Sequence, residues 1–223
     1  MARKPRSKSN KARVPAIVAP TKERSNNPMD WLYDNPLGGY PNFTFGVLEQ
    51  SYRGYPNTPS EFALRKLRPV GGLDHAGSFD EKTFTAYRYG SVLPDDAPDN
   101  LDAAVPLIRA MDFSLCSSHP AALIYATLDF PDTRRLHHAW EESRAFAYHQ
   151  LAQKRHLPVL VVEHRPGDAG SDNPVHCHLL IGARKLDGTG FRGFADDLLT
   201  DQGQRILYDE WIGFRSRWEA LKA

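Results

Sequence analysis

The chain has 223 residues, a formal net charge of +1, 41% hydrophobic residues, 17 prolines and two cysteines, Cys116 and Cys177. That length suits one domain with appendages or two small domains, and it buries a core without disulfide staples. Two cysteines are no disulfide framework, there is no secretory signal, and no run approaches the roughly 20 apolar residues that span a bilayer. The expectation is a soluble cytoplasmic protein with no membrane partner.

Charge is unevenly placed. Residues 1–24 hold eight Lys/Arg and one acidic residue, Glu23, which leaves the rest with 20 basic and 26 acidic residues, a net of −6. Residues 1–27 lack a hydrophobic period and read as a disordered basic tail. Such a tail serves as a nucleic-acid arm or simply as a solvated terminus. Residues 28–120 read as a loop-rich part that wraps the core, with Pro, Gly, Asn and aromatics concentrated in 28–60. Thr58-Pro59-Ser60-Glu61 has the pattern of a helix start, and a short helix to about Leu67 should follow. Residues 79–89 fit either a strand or a helix. A second short helix is expected over 101–111, limited by Pro106.

From Ala121 the pattern sharpens. Residues 122–130 form a run of apolar and β-favouring residues closed by Pro131, and so predict a strand. Asp132 caps a long helix over about 133–156, which Pro158 ends. Val159 to His164 is a second strand. Gly167, Gly170, Asp172, Asn173 and Pro174 mark a loop, and 176–183 a third strand. A polar linker leads to a final amphipathic helix near 204–223. The class is α+β, an antiparallel sheet with helices on one face.

Side chains alternate across a strand, so His176, His178, Leu180 and Gly182 share one face and Cys177, Leu179, Ile181 and Ala183 the other. The second set is apolar or small and should pack under the helices, which leaves the two histidines on the uncovered side. If Val159–His164 pairs with the histidine strand as a hairpin, His164 reaches the same spot. Three imidazoles suit a metal and leave coordination positions for water or substrate. A structural zinc site through Cys177 is disfavoured, because that thiol points away. Two same-face histidines can also be ordinary surface residues, and the third one weighs against that. Asp129 either accepts a hydrogen bond from a ligand histidine and fixes its tautomer or is a solvated charge at a strand end. Glu163 should face the opposite side, as a solvated charge at a strand end. Arg184 and Lys185 follow the motif strand and either touch phosphates or belong to the surface.

His176-Cys-His-Leu-Leu-Ile181, preceded by Asn173-Pro174 and followed by Arg184-Lys185-Leu186-Asp187-Gly188, resembles the MobA/MobL relaxases. These are nicking enzymes of the histidine–hydrophobe–histidine (HUH) endonuclease superfamily. Val161-Val-Glu-His164 looks like the strand that supplies that family's third histidine. The strand ending in Asp129-Phe130-Pro131, the helix after it, and the last helix with Trp211 and Trp218 are also similar. The resemblance covers about residues 121–223, an HUH-like α+β core. It implies a metal-dependent single-stranded DNA nicking and joining endonuclease of plasmid mobilisation or conjugation. Mg²⁺ or Mn²⁺ would sit on His164, His176 and His178. A tyrosine nucleophile would form a 5′-phosphotyrosyl intermediate, and the DNA partner could include a hairpin origin of transfer. Ala86-Tyr87-Arg88 is similar to the family's nucleophile segment, so Tyr87 ranks first and Tyr89 second. Tyr208 ranks third, because it matches the placement in rolling-circle replication initiators of the same superfamily. That initiator role is one alternative; a catalytically inactive single-stranded DNA-binding module is a second, and a metal-binding protein without a nucleic-acid role a third.

Overall fold

The computed structural model describes residues 24–70, 79–133 and 135–222. Most of the expected disordered tail, residues 1–23, lies outside them. Residues 24–27 are held in place: Arg24 pairs with Glu61 at 2.6 Å and stacks over Trp31 at 3.7 Å.

Strand β1 (Phe43–Glu49) runs where loop was expected. Its apolar positions are flanked by the Gly, Pro and Asn turn residues that made the whole segment read as irregular. A two-residue hairpin follows, β2 (Ser51–Tyr52) with β3 (Tyr55–Pro56). Helix α1 (Pro59–Leu67) begins as its sequence dictates, with the Thr58 hydroxyl accepting from the Glu61 amide and Pro59 in the first turn. The stretch 79–89 resolves into a 3-10 turn at Glu81–Thr83 and then strand β4 (Arg88–Val92). Helix α2 (Ala104–Phe113) tolerates Pro106 because the proline falls in its first turn.

Strand β5 (Ala121–Asp129) leads into helix α3 (Leu136–Phe146), which continues through a π-helical turn at Ala147–Gln153. Strands β6 (Val159–His164) and β7 (His176–Gly182) follow as the sequence suggested. The expected polar linker instead contains a hairpin of β8 (Arg184–Asp187) and β9 (Gly190–Phe194). Its turn is closed by the Asp187 carboxylate, which accepts from the Thr189 amide at 2.8 Å and its hydroxyl at 2.7 Å. Helix α4 (Gly203–Lys222) closes the chain.

Five strands form one antiparallel sheet in the order β1-β5-β7-β6-β4. Both edge strands come from before residue 121. The α+β class and the antiparallel sheet are as the sequence predicts, but helices cover both faces rather than one. On one face Cys177, Leu179 and Ile181 pack with Trp140, Phe146, Leu151, Trp211 and Phe214 of the α3 and α4 layer. On the other, Leu160, Val162 and Leu180 pack with Phe62 and Leu67 of α1 and Leu107, Ile108 and Met111 of α2. The physical reason is in the strands themselves. Nearly every residue of β5, β6 and β7 is buried, and a strand without polar alternation has to be covered twice.

A candidate three-histidine metal centre

The histidines stand at the end of the face that α1 and α2 cover, half-buried at His164 and His176 and buried at His178. Ladder register brings them together. His164 on β6 lies opposite His176 on β7, which lies opposite Asp129 on β5. One pair further along, His178 sits between Val162 and Thr127. One ring nitrogen from each histidine falls within 4.8 Å of the others.

The outward nitrogens are all anchored. His164 Nε2 donates to the Lys66 carbonyl at 2.5 Å, and His176 Nδ1 to the Pro174 carbonyl at 2.9 Å. A carbonyl only accepts, so both protons are fixed on the outside. His178 Nδ1 meets two buried hydroxyls, Tyr125 at 2.8 Å and Thr127 at 3.0 Å. Hydroxyls donate or accept, so His178 can carry its proton on either nitrogen. With it on Nδ1, all three inner nitrogens are lone pairs aimed at one another, and His178 Nε2 lies 3.0 Å from His164 Nδ1. Lone pairs this close repel unless a cation lies among them. The donor set therefore fits a divalent metal, with ring orientations fixed from behind.

Electrostatics point the same way. Burial pushes the His178 imidazole well below its ordinary value and His164 down to about 4, and it lowers His176 as well. All three are neutral at neutral pH, the state a ligand needs. Lys66 contributes to each of these shifts. Its amine is itself pushed down to about 8 by burial and lies 4.8 Å from the centre of the Tyr125 ring.

Lys66, Tyr125 and Thr127 were not singled out from the sequence. Lys66 left one trace, as a lysine four residues after Phe62 on the apolar stripe of α1. Tyr125 and Thr127 left none, being two members of a run that reads as plain core.

The remaining site residues separate. Asp129 sits beside His176, and burial raises its carboxyl while His176 pulls it down. The hydrogen bonds that fix the ring nitrogens go to Lys66, Pro174, Tyr125 and Thr127 instead. Glu163 does face the opposite side, but it is fully buried rather than solvated, paired with Arg165 at 3.0 Å and Arg88 at 3.8 Å. Tyr87, 49% exposed, lines a cleft that also reaches His164. Tyr89 packs edge-on against Phe84 at 5.4 Å. Tyr208 lies in the opposite layer, stacked on Tyr40 at 4.1 Å, away from the histidines. Arg184 donates to the Ser114 and Phe191 carbonyls, both at 2.9 Å, and Lys185 is exposed beside it. Both follow the far end of β7, roughly 25 Å from His176 at ~3.3 Å per residue.

The chain shares its fold with a solved structure from work on the molecular basis of vancomycin resistance transfer in Staphylococcus aureus. The two are 15% identical, with 78% of this chain and 90% of that one covered and a TM-score of 0.60. The likeness reaches beyond residues 121–223, where the motif resemblance lies. The sequence matches no family model and no curated protein. Among the described residues no helix is long and apolar enough to cross a membrane.

Proposed function

We propose that this protein is a metal-dependent enzyme that nicks and rejoins single-stranded DNA in plasmid mobilisation. His164, His176 and His178 would hold Mg²⁺ or Mn²⁺, and Tyr87 would act as nucleophile. The observation that carries this reading is the convergence of three inward imidazole nitrogens within 4.8 Å, beside a cleft that contains a tyrosine. The fold shared with the structure from work on vancomycin resistance transfer supports it.

A divalent cation on the three nitrogens supplies Lewis-acid polarisation of a phosphodiester. The chain's own residues do the rest. Neutral imidazoles would hold the ion without cancelling its charge, and buried Lys66 adds positive potential for a phosphate beside them. The phenolic oxygen of Tyr87 forms a bond to phosphorus and the bond from phosphorus to the 3′ oxygen breaks. The phenol loses its proton to solvent, and the departing 3′ oxygen gains one. The 5′ side of the strand stays on the tyrosine, so the bond energy is kept for rejoining.

The test is Mn²⁺ titration calorimetry together with cleavage of single-stranded oligonucleotides carrying hairpin origin sequences. The His176→Ala/His178→Ala double variant should fold, bind no Mn²⁺ and cut nothing. Unchanged Mn²⁺ affinity in that variant would remove the basis of the proposal.

A further inference from the structure

The cleft beside His164 has a volume of about 400 Å³, within the ~300–1,000 Å³ range of small-molecule sites. Pro69, Val70, Pro166 and the ring of Tyr87 give it apolar walls, and Arg165, Asp168 and Ser171 give it polar ones. Val70 is 57% exposed at its rim.

The walls are built independently of any ligand. Thr85 ties Val70 in both directions, accepting from its amide at 3.2 Å and donating to its carbonyl at 2.9 Å. The amides of Thr85 and Ala86 both donate to the Leu67 carbonyl, at 2.8 and 3.0 Å, which fixes the turn carrying Tyr87. On the other side, the 3-10 turn Pro166–Ala169 closes through Gly170 in the left-handed conformation, and the Ser171 amide donates to the Pro166 carbonyl at 3.1 Å.

Arg165 is the central group. Its Nε donates to buried Glu163 at 3.0 Å, and its guanidinium carbon lies 3.2 Å from the centre of the Tyr87 ring. Its side chain is 13% exposed, and its two terminal nitrogens make no hydrogen bond to another described residue. A buried carboxylate thus holds a flat cation against an aromatic ring at the mouth of a half-apolar cleft. That surface suits stacking of a third flat ring. Asp168 in the same wall disfavours a bare phosphate there, and its carboxylate can accept hydrogen bonds from N–H groups of a ligand.

We propose that this cleft binds the unpaired nucleobase next to the phosphate that the three histidines engage. The inference rests on the function proposed above and adds a base-binding subsite to it. Stacking and apolar burial there should give about 10-fold in affinity.

The test uses the full chain with Mn²⁺ and two small probes, thymidine 3′,5′-bisphosphate and its abasic counterpart, 1,2-dideoxyribose 3′,5′-bisphosphate. Calorimetry should show both binding only with Mn²⁺, the thymidine compound about 10-fold tighter. Val70→Asp, at an exposed rim position, and Arg165→Gln should each erase that difference while Mn²⁺ and abasic affinities stay unchanged. If Arg165→Gln unfolds because Glu163 loses its partner, Val70→Asp still decides. Equal affinities in the wild type, or a base preference that survives Val70→Asp, overturn the inference and leave the metal–phosphate reading standing. Failure of both probes to bind with Mn²⁺ overturns that reading and the subsite with it.

Discussion

His178 Nε2 lies 3.0 Å from His164 Nδ1, and the other nitrogen of each ring is hydrogen-bonded outward, to the Tyr125 and Thr127 hydroxyls and to the Lys66 carbonyl. The inner pair is aimed by the outer one, and that relationship makes the hydroxyls part of the candidate metal site from behind the ligand ring. Losing outer partners of a ligand histidine typically costs 10–100-fold in metal affinity. The Tyr125→Phe/Thr127→Val double variant removes both partners of His178 while keeping the shape of the core. Mn²⁺ affinity by calorimetry should fall by about 10-fold or more, with circular dichroism unchanged. An unchanged affinity would mean that strand geometry alone sets the His178 ring.

Lys66 opposes the same site from α1. Its amine donates to Met29 Sδ at 3.6 Å, and burial alone accounts for its lowered pKa, with no carboxylate contributing. A buried cation repels a divalent ion. Lys66→Met keeps the backbone carbonyl that holds His164 and should tighten Mn²⁺ binding by about 10-fold, as expected for removing one nearby charge in a medium of intermediate dielectric. Weaker binding in this variant would show that the lysine stem shapes the site more than its charge does.

A different pair ties α4 to the end of the π-helical turn. Arg155 donates to both carboxylate oxygens of Glu210, at 2.7 and 2.8 Å, and Lys154 donates to one of them at 2.6 Å. Burial pushes the Glu210 carboxyl up, but the bonds from Arg155 and Lys154 outweigh it and hold the group below its ordinary 4.5. A depressed carboxylate pKa contributes stability that is present above about pH 4.5 and lost as pH falls through the lower folded value. Glu210→Gln should cost about 2 kcal/mol at pH 7, the scale of a hydrogen bond to a charged group. It should also flatten the acid limb of the stability curve below pH 4.5. Urea unfolding at pH 7 and at pH 3.5 measures both effects, and an equal loss at the two pH values would contradict the linkage.

The histidine cluster was legible because a spacing of two places His176 and His178 on one strand face, and pairing of the two strands brings His164 opposite His176. The α1 start was legible from Thr58, Pro59 and Glu61 alone. The covering of the histidine face by α1 and α2 departs from the one-sided expectation, yet the strands carry its signature. Runs such as Val159-Leu-Val-Val162 do not alternate, and only two covered faces explain that. Strand β1 was hidden by turn-forming neighbours. The burial of Glu163 was hidden because its partners, Arg88 and Arg165, meet it only through the β4–β6 ladder and the turn after β6. Tertiary partners of this kind leave no periodic signal.

The three candidate tyrosines lie in different parts of the fold. Tyr87 shares the His164 cleft, Tyr89 packs on Phe84, and Tyr208 stacks on Tyr40 across the sheet. In-line attack needs a hydroxyl that can approach the bound phosphate opposite the leaving 3′ oxygen, and phenol suits this because its pKa near 10 makes it a workable leaving group on rejoining. Replacement by phenylalanine removes only the hydroxyl. With Mn²⁺ and hairpin-bearing single-stranded substrates, Tyr87→Phe should abolish the denaturation-resistant protein–DNA adduct while DNA affinity persists. Tyr89→Phe and Tyr208→Phe should form it at wild-type rates. The readout is a shifted band on a denaturing gel, followed by peptide mapping of the adduct. Loss of the adduct only in Tyr208→Phe would place the protein with replication initiators and require α4 to move, since the ring now lies in the other layer. An adduct that persists in all three single variants would remove Tyr87 from the mechanism while leaving the metal centre in place.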